Sequence, residues 1–136
     1  MDYAAYVEAF NSGADRAELV RRFCTDDVIF EAGARKELYR GRDEVTRFLS
    51  GLQDSFREAL RPQVVVQNKD YIAVEADVDL YAQRDLTDDP ALGALRKGER
   101  FTMKAFAIYY LRSGKICRFK TALWPPNFGV TSPPTA

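Results

Sequence analysis

Acid–base chemistry in this chain must be carried by phenols, carboxylates, amines or thiols, because its 136 residues include no histidine. That excludes Ser-His-Asp and Cys-His arrangements and removes histidine as a general base or metal ligand. Few candidates remain. Tyr6 lies on the apolar face of the first helical stretch, where its hydroxyl either donates to a ligand carbonyl or reaches water from the core edge. Tyr109 points inward by strand parity and is a second phenol within reach, or a packing residue. Glu31 is a general base if its strand is bulged, and an exposed strand carboxylate if it is not. Lys104 is a reactive amine if desolvated, whereas outward parity makes it a surface ion-pair partner of Asp77 or Asp79. Asp77 and Asp79 share the outer face with Glu75. Arg35, Lys36 and Glu37 are either an anion site or a solvated loop. Gly51, Gly93, Gly98 and Gly114 are isolated among turn residues, so no phosphate-binding loop is present.

Periodicity gives the helices and strands that carry these groups. Tyr3, Tyr6, Val7 and Phe10 recur at helical spacing, and Asn11-Ser12-Gly13 ends that helix. Asp15 caps a second helix that turns Leu19, Val20 and Phe23 inward, and Asp26-Asp27 leads into a strand over residues 28–32. GARKELYRG, from Gly33, reads as a polar, exposed loop. A third helix is predicted over residues 42–59, with Val45, Phe48, Leu49, Leu52 and Phe56 as its stripe and Pro62 beyond its end. The period then changes to two. Residues 63–68, 72–84, 100–111 and 115–124 read as four strands of an antiparallel sheet, joined mostly by short turns. The connection DLTDDPALGALRKG, from Asp85, is too polar and turn-rich for core and has room for a helical turn or a flap. One domain over residues 1–127 and an extended tail over 128–136 are expected.

Twenty basic and twenty acidic residues cancel, so no overall field attracts nucleic acid or an anionic membrane. No apolar run approaches a membrane span and no signal-peptide pattern is seen, so a cytoplasmic protein is expected. Cys24 and Cys117 lack metal-site spacing and read as small buried hydrophobes. No metal or cofactor is expected.

Parity divides the sheet. Ile72, Val74, Ala76, Val78 and Leu80 face one side; Met103, Ala105, Ala107 and Tyr109 share it, as do Cys117, Phe119, Thr121 and Leu123. Small residues at mid-sheet either leave a cavity or are filled over by helix side chains. The expected lining is Phe10, Phe30, Ala32, Phe48, Leu52, Met103, Ala105, Ala107, Phe119 and Thr121. On the other side Tyr81, Phe106, Ile108 and Tyr110 form an exposed group suited to sheet-to-sheet homodimerisation.

Taken together, Tyr6 to Gly13, FCTDDVIFE, YRGRDEVTRFL and SGKICRFKTALWPPN resemble the SnoaL-like branch of the nuclear-transport-factor-2-like superfamily, which includes ketosteroid isomerase and polyketide cyclases. The resemblance covers nearly the whole chain. It implies an α+β, cystatin-like cone of curved antiparallel sheet wrapped on three N-terminal helices, with a pocket for a hydrophobic or aromatic small molecule. It matches Tyr6 to the isomerase's first-helix tyrosine and Trp124 to the aromatic that closes the pocket. The carboxylate base position falls on Ala32 or, with a one-residue slip, on Glu31; the sheet aspartate position falls near Ala107. The implied activity is isomerase, cyclase or dehydratase chemistry on a ring ketone, with Tyr6 and Tyr109 polarising the carbonyl and Glu31 moving the proton. The alternatives are a noncatalytic binding module and a supporting subunit. A cavity without an ionisable group favours binding, and no cavity favours the subunit.

Overall fold

The computed structural model describes residues 1–33, 37–89 and 93–124. Helix α1 (Tyr3–Asn11) starts where the Asp2 carboxylate accepts from the Ala5 N–H at 3.0 Å, and it buries Tyr3, Tyr6 and Phe10. Gly13, at φ +78°, lets the chain leave it. In α2 (Arg16–Phe23) Asp15 caps the Ala17 N–H at 2.8 Å. Its buried face is Leu19, Val20, Phe23 and, at the same helical spacing, Arg16. Strand β1 (Cys24–Ala32) follows without a loop.

Residues 37–40 of the expected loop form strand β2 (Glu37–Arg40), antiparallel to β1 with Tyr39 opposite Phe30. Tyr39 anchors it, its ring centroid 4.5 Å from that of Phe48. Arg35, Lys36 and the suggested anion site lie outside the described residues, apart from exposed Glu37. Helix α3 (Gly41–Ser55) buries Val45 and Leu49 and ends four residues before the expected Ala59. The chain passes directly into β3 (Phe56–Gln67). Phe56 satisfies both the helical stripe and the alternation Phe56, Glu58, Leu60, so periodicity alone did not locate the boundary.

Strand β4 (Tyr71–Ala82), β7 (Arg100–Arg112) and β8 (Lys115–Trp124) complete a six-stranded sheet ordered β2-β1-β8-β7-β4-β3. The four long strands pair antiparallel as expected, and β1 joins β8 in parallel. Between β4 and β7 lies a small hairpin, β5 (Leu86–Asp89) and β6 (Gly93–Leu95). Its Leu86 and Leu95 are buried with Phe56, Leu80 and Ala82 in a second core cluster, so this connection contributes core although its composition is polar. Two leucines suffice because each has an apolar wall to rest on. The tail over 128–136 lies outside the described residues.

A bulge corrects one parity assignment. Tyr110 pairs with Arg118 but Leu111 pairs with Ile116, so Cys117 is the extra residue. Its thiol donates to the Tyr110 carbonyl at 3.4 Å, and Ile116 takes the buried position. Both cysteines are free. No helix among the described residues is long and apolar enough to cross a membrane.

Candidate active site

Between the two core clusters the inner face of the sheet and the helices leave a cavity of about 190 Å³. Phe10, Phe30, Ala32, Phe48, Leu52, Met103, Ala105, Ala107, Phe119 and Thr121 stand in its wall, together with Tyr6 and Tyr109. Small residues produce it. Ala76 pairs with Ala105 and Ala107 with Thr121, so the middle of the sheet offers little side-chain volume beneath α1 and α3.

The phenols occupy one end. Tyr3, Tyr6 and Tyr109 lie with ring centroids 5.4 to 5.9 Å apart, and Tyr109 rests on Phe119 at 5.8 Å. Burial, reinforced by neighbouring groups including the other phenols, raises the ionisation of Tyr6 and Tyr109 far above the ordinary phenol value. Both are therefore neutral O–H groups at any physiological pH. The Tyr3 hydroxyl is buried and meets no partner in hydrogen-bond geometry among the described residues. Burial also pushes the Cys24 thiol up to about 12, which makes it unreactive.

Two expected site residues are elsewhere. Glu31 lies on the outer face, where it accepts from Arg118 Nε at 2.8 Å and lies 3.8 Å from Lys120 Nζ. The Arg118 hydrogen bond holds its carboxyl below the ordinary glutamate range. Glu31 pairs in register with Lys120, and Ala32 with Thr121, so the regular pleat turns Ala32 to the cavity and Glu31 away. Trp124 is 59% exposed and does not line the cavity; it packs edge-on against Phe106 of the outer face. Strand parity carries it there, one residue past inward-facing Leu123. Lys104 also faces out, paired with Glu75 at 3.3 Å and Asp77 at 3.9 Å. Asp79 is instead held by Arg61 at 2.8 and 3.0 Å and by Thr102, which bury it on the outer face.

Among the described residues, the carboxylate that lines the cavity is Glu58, which lies in β3 and not in the helix expected over residues 56–59. In β3 it projects inward between Phe56 and Leu60 and is 9% exposed. Its counter-ion is Arg16, 2% exposed, with Nη2 3.6 Å from Glu58 Oε1. That separation is too long for a hydrogen bond. Arg16 is held from the other side, donating from Nη1 to the Phe10 carbonyl at 3.3 Å with its guanidinium carbon 4.1 Å from the centre of the Phe10 ring. Glu58 Oε1 and Arg16 Nε are consequently buried without hydrogen-bond partners among the described residues. Burial outweighs Arg16 and raises the Glu58 carboxyl to about 7. The sequence carries a signal for both: each is a charged residue on an otherwise apolar stripe. No group of three or more possible metal ligands occurs among the described residues.

Comparison with known proteins places this architecture. The SnoaL-like domain family matches residues 3–119. A proposed polyketide cyclase from Pseudomonas putida shares 28% identity at a TM-score of 0.73, covering 88% of this chain and 86% of its own. One from Xanthomonas campestris shares 29% at 0.72, covering 88% and 84%. TerC, crystallised with polyporic acid, shares the fold at 14% identity and a TM-score of 0.68, covering 89% and 87%. None of the curated proteins matches the chain significantly.

Proposed function

The chain belongs to the SnoaL-like domain family, and from that premise we propose that its cavity binds a hydrophobic ring ketone and carries out a cofactor-independent isomerisation, cyclisation or dehydration. The observation that carries this reading is an apolar cavity with two neutral phenols, Tyr6 and Tyr109, in its wall. A neutral phenol donates to a ketone oxygen, and more strongly to the enolate that forms from it, so its contribution grows toward the transition state. The surrounding side chains exclude water and reward an apolar ring system. The two solved structures at 28 and 29% identity are both proposed polyketide cyclases, which supports cyclisation among these reactions.

A thermal-shift screen with steroids, polyketide fragments and aromatic acids tests the binding half. Hits raise the melting temperature, and Tyr6→Phe then lowers turnover by roughly 100-fold with little change in binding, as loss of one oxyanion donor does. Parental turnover in both Tyr6→Phe and Tyr109→Phe overturns the assignment. One observation favours the alternative of a noncatalytic binding module: the base position of the isomerase resemblance is occupied by inward-facing Ala32, with Glu31 turned away. Ligand binding without turnover of any ring ketone selects it. A supporting-subunit role is disfavoured by the presence of the cavity.

The protein is further proposed to be a homodimer through the outer sheet face, where Phe106, Ile108 and Trp124 are exposed. Sedimentation of Ile108→Asp as a monomer, against a parental dimer, is the expected result.

A further inference from the structure

We propose that Glu58 is the proton-transferring catalytic residue of this cavity, held by Arg16 and exchanging its proton with solvent through a second, polar crevice. The proposal rests on the ring-ketone reading above and supplies the base that Glu31 does not.

Geometry carries it. The wall of the apolar cavity and that of a crevice of about 280 Å³, lined by Asn11, Ser12, Gln53, Arg57 and Gln83, share only Phe56 and Glu58 among the described residues. Phe56 cannot carry a proton. Glu58 is thus the one ionisable group common to both spaces. On the crevice side, Asn11 bonds the Leu60 backbone at 2.7 and 2.9 Å, and Gln53 donates to the Gly13 and Ala14 carbonyls at 3.1 and 3.2 Å. These ties hold α1, the turn after it and α3 around the carboxyl. Glu58 Oε1 has no hydrogen-bond partner among the described residues, with the Arg16 guanidinium 3.6 Å away, so it retains an unused acceptor position.

Among the described residues, the charged and titratable groups around Glu58 are Arg16 of α2, which also lines the crevice, Arg57 of β3 in the crevice wall, and the neutral phenol of Tyr6 of α1. Arg16 is a positioning residue: it keeps the carboxylate attainable in an apolar wall without capturing the oxygen in a hydrogen bond. The raised carboxyl, at about 7, matches a base that must both take and return a proton near neutrality. In the step, a Glu58 oxygen takes the proton α to the ketone. The C–H bond breaks, an O–H bond forms, and the electron pair moves onto the ketone oxygen, whose charge is stabilised by donation from the phenols. Return of the proton to the same carbon restores the ketone; return to the distal carbon of an unsaturated ring shifts the double bond. While protonated, Glu58 exchanges with water through the crevice, so a substrate in heavy water acquires deuterium.

The test uses the full chain and 2-tetralone as probe, with binding followed by thermal shift and exchange of the α-hydrogens followed by proton NMR in heavy water. Wild type accelerates exchange above the buffer rate with a half-maximal point near the Glu58 value of about 7. Glu58→Gln binds the probe but loses roughly 100-fold or more of that acceleration. Glu58→Asp recovers part of it with a displaced pH midpoint, an outcome a merely structural glutamate does not produce. Binding with exchange unchanged in Glu58→Gln, or no acceleration by wild type, overturns the role of Glu58 while leaving the cavity reading intact. No binding of 2-tetralone overturns both. If Glu58→Gln does not fold, the wild-type profile decides: a pH-independent acceleration overturns the proposal.

Discussion

Two glutamates, each beside an arginine on opposite faces of one sheet, behave in opposite ways. On the outer face, Glu31 accepts from Arg118 Nε at 2.8 Å with water at hand, and its carboxyl is held below the ordinary range. On the inner face, Glu58 sits 3.6 Å from Arg16 with one oxygen unfilled, and its carboxyl is raised to about 7. A neighbouring cation is therefore not enough to fix a carboxylate's charge. What decides is whether the lost hydration is replaced by hydrogen bonds, and in the cavity wall it is only partly replaced.

The sharpest way to break this contrast is to remove each arginine. Arg16→Met is expected to cost about 3 kcal/mol at pH 8, because it leaves a buried carboxylate unpaired. The cost shrinks at pH 5, where Glu58 is neutral. Arg118→Met has a far smaller effect at either pH, because its pair with Glu31 is at the surface and screened by solvent. Urea unfolding at the two pH values reads all of these.

Next in size is the pH dependence of the parental protein. Glu58 has a folded value above its ordinary 4.5, so its contribution to stability is complete below pH 4.5 and is lost as pH rises through about 7. The change is on the order of 3 kcal/mol across that window. Glu31, with a lowered value, has the opposite sign: its small contribution is present above the ordinary glutamate value and lost on acidification. Stability of Glu58→Gln measured across pH 4.5 to 8 is expected to be nearly flat in that window; a slope as steep as the parental one assigns the effect to other groups.

Gly33→Ala tests the pleat that sorts the two faces. A Cβ at Gly33 runs into the Thr121 carbonyl oxygen, the same oxygen to which the Gly33 N–H donates at 2.9 Å. The parallel β1–β8 contact must then part, at a cost of about 2 kcal/mol, and amide exchange along residues 29–33 should quicken. The smallest effect is that of Glu31→Gln, within about 0.5 kcal/mol in stability, since its pairs are at the surface. It leaves exchange of 2-tetralone unchanged.

Much of this arrangement is legible in the residues. Tyr6 and Phe10 at helical spacing, and Ala105, Ala107 and Tyr109 at strand spacing, direct themselves inward because amphipathic period and buried face coincide. The unread parts are those where one residue satisfies two periods or where a neighbour supplies the missing apolar partner. Phe56 fits helix and strand alike, so helical periodicity runs on over Glu58 although the helix ends at Ser55. Leu86 and Leu95 are core only because Phe56 and Leu80 lie beneath them. Cys117 is turned aside by a bulge that parity does not contain. The family resemblance matches Trp124 and Glu31 to pocket positions, yet the pleat of their own strands puts both on the outer face.

Composition and short-range period are enough to give the family resemblance, the three helices, the four long strands, the absence of imidazole chemistry and the apolar inner face of the sheet, but not the short strands β2, β5 and β6. Which carboxylate meets the cavity depends on long-range packing. Arg16 and Glu58 are 42 positions apart in the chain, and each is merely a misplaced charge on its own apolar stripe until α1 and α3, which pack on β3 and against α2, bring the two together in a buried setting.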